Sequence, residues 1–366
     1  MTHVVEVPRR SCRELFITAV PEGDAPAATL VADTARVLQE TGIRIISQNV
    51  FGFWNRQPDV ERAISDVFGT LAWPITWHAQ RGSSVPGRGG IQTWAVADVP
   101  TTTLCLDGRV VGTIFEDNWA RYCHLAGLAP PDPFRPRAAQ AREVLELMER
   151  ALRVAGMDFR HVRRTWFHNA DIVSWYKEFN QARTSFFAQR QVFGSLVPAS
   201  TAVGRQHADN VGQPALLAEA FAVQAKTDDL RMFDVASPLQ HAALEYGSSF
   251  SRAVELVAPD HRRLLVSGTA SIDRDGRTVH SGDLGAQIAH TFDVVHAILE
   301  ARGLDWPDVT RAIAYFKRSE DIAAYHASDA GESRPNLPMI CVESDICRGD
   351  LLFELELDAV RSTQVT

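Results

Sequence analysis

Two glutamates near the C-terminal end of this 366-residue sequence have the spacing of a paired acid site. Glu354 and Glu356 alternate with apolar residues, and side chains two residues apart in a β-strand lie on the same face. Apolar surroundings raise the pKa of a carboxyl group, and neighbouring carboxyls separate each other's titrations. One of the pair could therefore stay protonated near neutral pH and act as a general acid. The alternative is an edge strand whose two glutamates are both solvated.

A cysteine precedes this pair. Cys347 lies seven residues before Glu354 and directly before Arg348. A neighbouring guanidinium favours the thiolate, which would make Cys347 a nucleophile, whereas a cysteine buried among apolar groups is inert. Both interpretations stay open. The five cysteines include no CxxC pair, so they predict neither a zinc site nor a redox motif.

Three more polar residues could bind a substrate. Arg183 and Arg252 could each form a forked contact with a carboxylate, or else an ion pair at an interface. Tyr246 could donate a hydrogen bond to a substrate oxygen, or else pack in the core with a satisfied hydroxyl. The histidines contain no i,i+4 pair, so we predict no metal, and we predict no cofactor.

One succession of elements occurs three times along the chain: an amphipathic helix, a glycine, a strand and a second helix. The glycines are Gly42, Gly156 and Gly303, which lie 114 and 147 residues apart. Glycine can take the left-handed conformation that ends a helix, and the β-branched and aromatic residues that follow favour a strand. The predicted first helices, strands and second helices are 30–38, 43–46 and 58–68; 141–148, 162–167 and 172–187; and 288–295, 309–316 and 320–327.

The repeat predicts an α+β chain of three tandem units. Their expected boundaries are 1–105, 106–235 and 236–366, and repeat spacings of domain size are too long for a solenoid. The alternative is one larger α/β domain in which the succession is coincidental.

Composition narrows the class of protein. The chain is 45% hydrophobic and 22% charged, with a net charge of −8, which argues against a nucleic-acid partner because such partners need a basic face. No apolar run reaches the roughly 18–20 residues that span a bilayer, so no membrane partner is expected. The first ten residues contain no apolar signal region, and we expect the cytoplasm.

Residues 250–358 resemble the YjgF/Rid family. The resemblance lies in the run Val266–Ser271, in Ser281-Gly282-Asp283 with Gln287, in Gly303, and in Phe353-Glu354-Leu355-Glu356. The whole chain is similar to the chorismatases, a subgroup built from such units, through residues 246–253, 267–271 and 344–354. The resemblance implies chorismate-mutase-like units with mixed sheets, helices on one face of each sheet, and a pseudo-trimeric arrangement within one chain.

Chorismatases hydrolyse the enolpyruvyl ether of chorismate and yield a cyclohexadiene diol or hydroxybenzoates. The resemblance implies that Glu354 is the general acid and that Cys347 helps to divert an intermediate toward an aromatic product. It places Ala270 in the substrate site beside Arg183, Arg252 and Tyr246. The partner would be a small cyclic, carboxylated molecule of secondary metabolism. A self-closed chain would be a monomer, and the alternative is a homotrimer.

The sequence also departs from both family patterns. Simple Rid deaminases carry an arginine at the start of the penultimate strand, where this chain has Met339 in the third unit and Ser200 in the middle one. The glutamate position of the middle unit is Leu217. Chorismatases carry an arginine and a tyrosine where Leu239 and Leu244 stand here, which favours a substrate that is less charged than chorismate or differently shaped. A Rid-type enzyme for enamines or imines and a non-catalytic ligand-binding protein are the alternative functions.

Overall fold

The computed structural model describes residues 1–22, 27–39, 42–53, 57–80, 88–205, 212–327 and 335–363. Within these ranges the chain forms three mixed sheets and six α-helices, which confirms the predicted tandem α+β class. The first unit contains β1 Thr2–Pro8, β2 Arg13–Ala19, α1 Ala27–Val37, β3 Arg44–Phe53, α2 Gln57–Phe68, β4 Ile75–Gln80 and β5 Gly90–Ala97.

The other two units repeat this order with one extra strand each. The second contains β6 Thr101–Leu106, β7 Arg109–Glu116, β8 Ala120–Leu128, α3 Arg137–Val154, β9 Val162–Ala170, α4 Ile172–Gln189, β10 Ala199–Arg205 and β11 Leu216–Ala225. The third contains β12 Arg231–Val235, β13 Ala253–Ala258, β14 His261–Ala270, α5 Leu284–Glu300, β15 Val309–Phe316, α6 Ser319–Ala327, β16 Met339–Glu343 and β17 Phe353–Ser362.

The last strand of each unit lies in the middle of its sheet. The sheet orders are β1-β2-β5-β3-β4, β10-β9-β11-β8-β7-β6 and β12-β13-β14-β17-β15-β16. β5, β11 and β17 are antiparallel to both neighbours, whereas the strand that follows each second helix pairs in parallel at an edge. A residue on a last strand is therefore flanked by paired strands on both sides.

The strand pairing bears on the unit boundaries, which stay a prediction. β6 crosses the expected boundary at 105 and pairs with β7 in the second sheet. β12 precedes the expected boundary at 235 and pairs with β13 in the third sheet. We propose boundaries in the short connections 98–100 and 226–230, where the chain passes from one sheet to the next.

The left-handed conformation predicted for the three glycines is confirmed. Gly42, Gly156 and Gly303 have φ values of 93°, 72° and 67°, in the left-handed region that side chains with a Cβ rarely adopt. After α3 the Met157 amide donates to the Leu152 carbonyl at 2.8 Å, which returns the chain toward the sheet.

The sheet faces that carry no helix meet in one central core. Phe16 and Trp94 from the first sheet, Tyr122 and Phe221 from the second and Leu265 from the third belong to a single buried cluster. Burial of apolar area contributes about 25 cal/mol per Å², so these faces hold the units together. The arrangement confirms the pseudo-trimeric fold implied by the resemblance.

A buried ionic network also joins the three units. Arg9 donates to Glu14 at 2.7 Å and to Asp117 of the second unit, and Arg263 of the third unit donates to Glu14 at 2.5 Å. All four side chains are at most 3% exposed. Because each charge is paired, removing one partner would leave an uncompensated buried charge, which typically costs about 3–5 kcal/mol.

The units contact one another in a closed ring. β4 meets β8, where the Gly127 amide donates to Thr76 at 2.9 Å. β10 meets the third unit through the pair Ala199 and Ser251, and the third unit returns to the first through the pair Cys341 and Arg88. Each groove of the ring is thus lined by two different units. Among the described residues, none of the helices is both long and apolar enough to cross a membrane.

We predict that the chain is a monomer in solution, because its own three sheets already bury the central face. Static light scattering after gel filtration should give a mass near 40.5 kDa. A mass of three chains would contradict self-closure.

Candidate active site

A pocket of about 550 Å³ lies in the groove between the second and third units. The pocket is lined by residues of α4, β10, β14 and β17 and by the segments before β13 and β17. It brings together five of the six predicted site residues, namely Glu354, Cys347, Arg183, Arg252 and Ala270.

Glu354 lies at the start of β17, opposite Ala270 of β14 and Tyr315 of β15. The pairing of β14 with β17 shifts between Val266 and Thr269, which forms a bulge at Gly268. A Cβ atom on Gly268 would overlap the Glu354 Oε1 atom, so any other residue there would displace this carboxyl group. The bulge and the glycine together position Glu354.

The Glu354 carboxyl is buried beside the pocket, with 5% of the residue exposed. Burial, followed by the nearby charge of Glu356, raises the pKa of Glu354 from 4.5 to about 8, despite the opposing effects of Arg164 and Arg252. Glu354 is therefore protonated at neutral pH. The solvated edge strand, the alternative to a paired acid site, is wrong for this residue.

Glu356 projects from the same face but has different partners. Arg164 donates to its Oε2 atom at 2.9 Å, and Arg311 and Trp166 donate to its Oε1 atom at 2.7 and 3.0 Å. The two guanidinium groups outweigh burial and lower the pKa of Glu356. The paired glutamates thus separate into one neutral acid and one carboxylate, as the alternation predicted.

A polar network beneath the pocket connects these groups to the second unit. Thr201 of β10 accepts a hydrogen bond from Arg164 at 2.8 Å and another from the Gly268 amide at 3.0 Å. The Ser200 amide donates to Ser267 at 2.8 Å. These contacts hold β10 against the bulge of β14, so the position of Glu354 depends on both units.

Arg183 extends from α4 into the pocket and is 1% exposed. Its guanidinium donates to Asn180 at 2.7 Å and to Ser200 at 3.2 Å, and it lies over the Phe179 ring at 5.2 Å. Arg183 thus brings a guanidinium from α4 to Ser200 at the start of β10. Such a group suits a substrate carboxylate.

Arg252 reaches the pocket from the other side. Its Nε atom donates to the His241 carbonyl at 3.0 Å, and its guanidinium lies over the Phe250 ring at 5.7 Å. The preceding loop is fastened to β14 by Gln240, whose amide donates to the Ala270 carbonyl at 3.0 Å. Tyr246 ends a 3-10 turn of this loop, and its side chain lies outside the described part of the chain.

Cys347 lines the pocket beside Glu354 and Tyr176. Burial and the nearby Glu354 raise the pKa of its thiol from 9.0 to about 12, and the opposing effect of Arg348 is smaller. Of the two interpretations of Cys347, this raised pKa favours the neutral thiol, because the charge of Arg348 does not compensate for burial. Cys347 faces the pocket as a neutral thiol.

Tyr176 was not predicted as a pocket residue, although the helical spacing of the sequence could have indicated it. Tyr176, Asn180 and Arg183 follow one another at helical spacings of four and three, so they share one face of α4. Gly268 belonged to the matched run, but only the tertiary contact with Glu354 explains its role.

The departures from the family patterns fall in different places. Met339 begins β16 and packs on the core of the third unit. Leu217 of β11 corresponds to Glu354 of β17, because each directly precedes the residue at which the pairing of its strand shifts. Leu239 and Leu244 are 37% and 46% exposed on the loop before β13 and do not line the pocket.

Comparison with known proteins agrees with this architecture. Residues 241–361 match the family described as Endoribonuclease L-PSP. The chain is 28% identical over 226 residues to a chorismatase of Streptomyces rapamycinicus, an alignment that spans 56% of this chain and 65% of that protein. It is 27% identical over 260 residues to a 3-hydroxybenzoate synthase of Streptomyces hygroscopicus, which covers 64% of this chain and 73% of that one.

The chain thus matches less than two thirds of the length of the first of these relatives. A crystal structure of a chorismatase superposes with a TM-score of 0.66 at 17% identity and covers 98% of this chain and 100% of the other. At that identity the likeness shows the fold alone. Residues 241–361 thus resemble the family described as Endoribonuclease L-PSP, and the chain as a whole has the fold of that chorismatase structure.

Proposed function

We propose that this chain is a hydrolase of secondary metabolism that cleaves the enol ether of a small, cyclic, carboxylated molecule. The observation that carries the proposal is the neutral Glu354 carboxyl beside a pocket that also contains Arg183 and Arg252. Enol ethers hydrolyse through slow protonation at carbon, and a buried acid that keeps its proton near pH 7 suits this step. Chorismate is the first substrate to test, since two relatives are named for it or for a product of such chemistry.

The proposed reaction consumes one water. Glu354 transfers its proton to the terminal vinyl carbon, and the positive charge that results is shared between the ether oxygen and the adjacent carbon. Water adds to that carbon and returns a proton to Glu354, and the hemiketal collapses to pyruvate and the ring alcohol. Arg183 and Arg252 would bind the substrate carboxylates and orient the vinyl group.

Cys347 bears on which product forms. As a neutral thiol in the pocket it is suited to contact the ring rather than to attack it. An aromatic product arises when the protonated enol ether instead breaks the bond between the ring carbon and the ether oxygen. Pyruvate then leaves with that oxygen and the ring cation loses a proton, so this route consumes no water. We propose that Cys347 shapes the pocket wall that decides between these routes.

The first prediction concerns the protonation of Glu354. Its pKa is raised in the folded chain, so the stability it contributes is complete below about pH 4.5 and is lost as pH rises to about 8. Over that range Glu354→Gln should gain about 3–5 kcal/mol in unfolding free energy relative to the unaltered chain. Urea unfolding at several pH values measures this. The exposed Glu320→Gln is the control, and an equal pH profile for all three proteins would count against a buried neutral acid.

The second prediction concerns turnover. With chorismate as substrate, pyruvate release coupled to lactate dehydrogenase should fall about 10²–10⁴-fold in kcat for Glu354→Gln, because the proton donor is lost. Glu320→Gln should retain full activity. In the unaltered chain kcat should be level below pH 8 and decline above it, since ionised Glu354 cannot donate.

Other outcomes of the same assay discriminate the alternatives. Equal rates for Glu354→Gln and the unaltered chain would remove the general-acid proposal. Ammonia release from an imine acid would favour a Rid-type enzyme, and saturable ligand binding without turnover would favour a binding protein.

The third prediction concerns Cys347. Cys347→Ala should keep pyruvate release within about threefold and change the ratio of aromatic to diol product, which chromatography measures. If pyruvate release falls as far as in Glu354→Gln, the thiol takes part in the proton transfer and its proposed role is wrong.

A further inference from the structure

Three histidines and one glutamate from four different strands meet in the groove between the first and second units. They are His78 of β4, His124 of β8, His168 of β9 and Glu219 of β11, each at most 6% exposed. The His78 and His168 rings lie 4.2 Å apart, and the His124 and His168 Nε2 atoms lie 3.7 and 3.6 Å from Glu219 oxygens. Since the strands are distant in sequence, no spacing rule could predict this cluster.

Glu219 differs from the other buried acids of the inter-unit interfaces. Glu14 and Glu356 each form ion pairs with two arginines. In the described part of the chain the ion pairs of Glu219 are with imidazoles alone, at 3.6–3.7 Å. A buried carboxylate needs a compensating charge, and here that charge must come either from protons on the imidazoles or from a bound cation.

The distances favour a cation. Imidazole nitrogen to carboxylate oxygen separations of 3.6–3.7 Å are too long for hydrogen bonds. They are close to the roughly 3.3–3.4 Å that separates ligand atoms around a tetrahedral ion bound at about 2.0–2.1 Å. Within the described residues, neither ring nitrogen of His124 nor the Nε2 atom of His168 has a hydrogen-bond partner.

We propose that His78, His168 and Glu219 bind a divalent transition-metal ion at this interface, with a water molecule as the fourth ligand. The ligand atoms of the first three lie within 4.8 Å of one another. Two imidazoles and one carboxylate match Zn²⁺ best. Zn²⁺ binds nitrogen and oxygen ligands in a tetrahedron, and its filled d shell imposes no other geometry. The ion would join β4 of the first unit to β9 and β11 of the second.

Asn49 holds the Glu219 carboxylate from outside the ligand set. With its nitrogen turned toward Glu219, the Asn49 amide donates to the two carboxylate oxygens at 3.1 and 3.2 Å and orients them. The same amide lies 3.0 Å from His78, a contact that a metal bond would replace. Asn49 and His124 also line a small cavity in the central core.

The test uses the full chain without an affinity tag, because polyhistidine would bind metal itself. After treatment with a chelator, the protein is incubated with ZnCl₂ and desalted, and its metal content is measured by plasma mass spectrometry. We expect about one Zn²⁺ per chain and a rise in melting temperature of about 3–5 °C at a hundredfold excess over Kd. His168→Gln and Glu219→Gln should lose both effects, whereas the exposed His326→Gln should keep them.

A second measurement needs no variant and covers the case in which the variants fail to fold. X-ray absorption at the zinc edge of the unaltered chain should show nitrogen and oxygen neighbours with at least two imidazoles. Absence of stoichiometric uptake, uptake that persists in both folded variants, or a spectrum without imidazole ligands would overturn the proposal. The cluster would then be a network of histidines and a carboxylate balanced by protons.

Discussion

Each of the three sheets has helices on one face only, and the need to bury the other face governs the rest of this structure. The bare faces carry large apolar side chains such as Trp94, Tyr122 and Leu265, which meet in one central core. Three connected sheets can satisfy this need within one chain by closing a ring. A closed ring necessarily has three grooves between units, and each groove can hold a site that neither unit forms alone.

The chemistry of the proposed active site depends on the different surroundings of two glutamates. Glu354 and Glu356 project from the same face of β17. Arg164 and Arg311 pair with Glu356 and keep it ionised, and its charge in turn helps to keep Glu354 neutral. Without the arginines both carboxyls would compete for protons, and without burial neither would hold one at neutral pH. The second glutamate is thus part of what makes the first an acid.

The three grooves have diverged in the charges they contain. The groove between the second and third units holds the neutral acid and two pocket arginines. The groove between the first and second units holds the cluster of histidines around Glu219. The groove between the third and first units is closed by the ion pair of Arg88 with Glu343 at 2.5 Å. A homotrimer would have to carry the same site three times, whereas one chain with three units is free of that constraint.

Local sequence patterns determined the elements of this protein. Glycines at helix ends, helical and alternating apolar spacing, and the pair of glutamates on one strand are encoded over ten to twenty residues, so they predicted the α+β repeat and the face on which Glu354 lies. The tertiary structure decided what surrounds each side chain. Burial keeps Cys347 a neutral thiol, and the packing of α4 on β10 places Arg183 beside Ser200. The Glu354 carboxyl lies where a side chain at position 268 would be, and three strands bring His78, His168 and Glu219 together. These outcomes depend on desolvation and on contacts between units far apart in sequence, and such long-range terms leave no mark in the local spacing of residues.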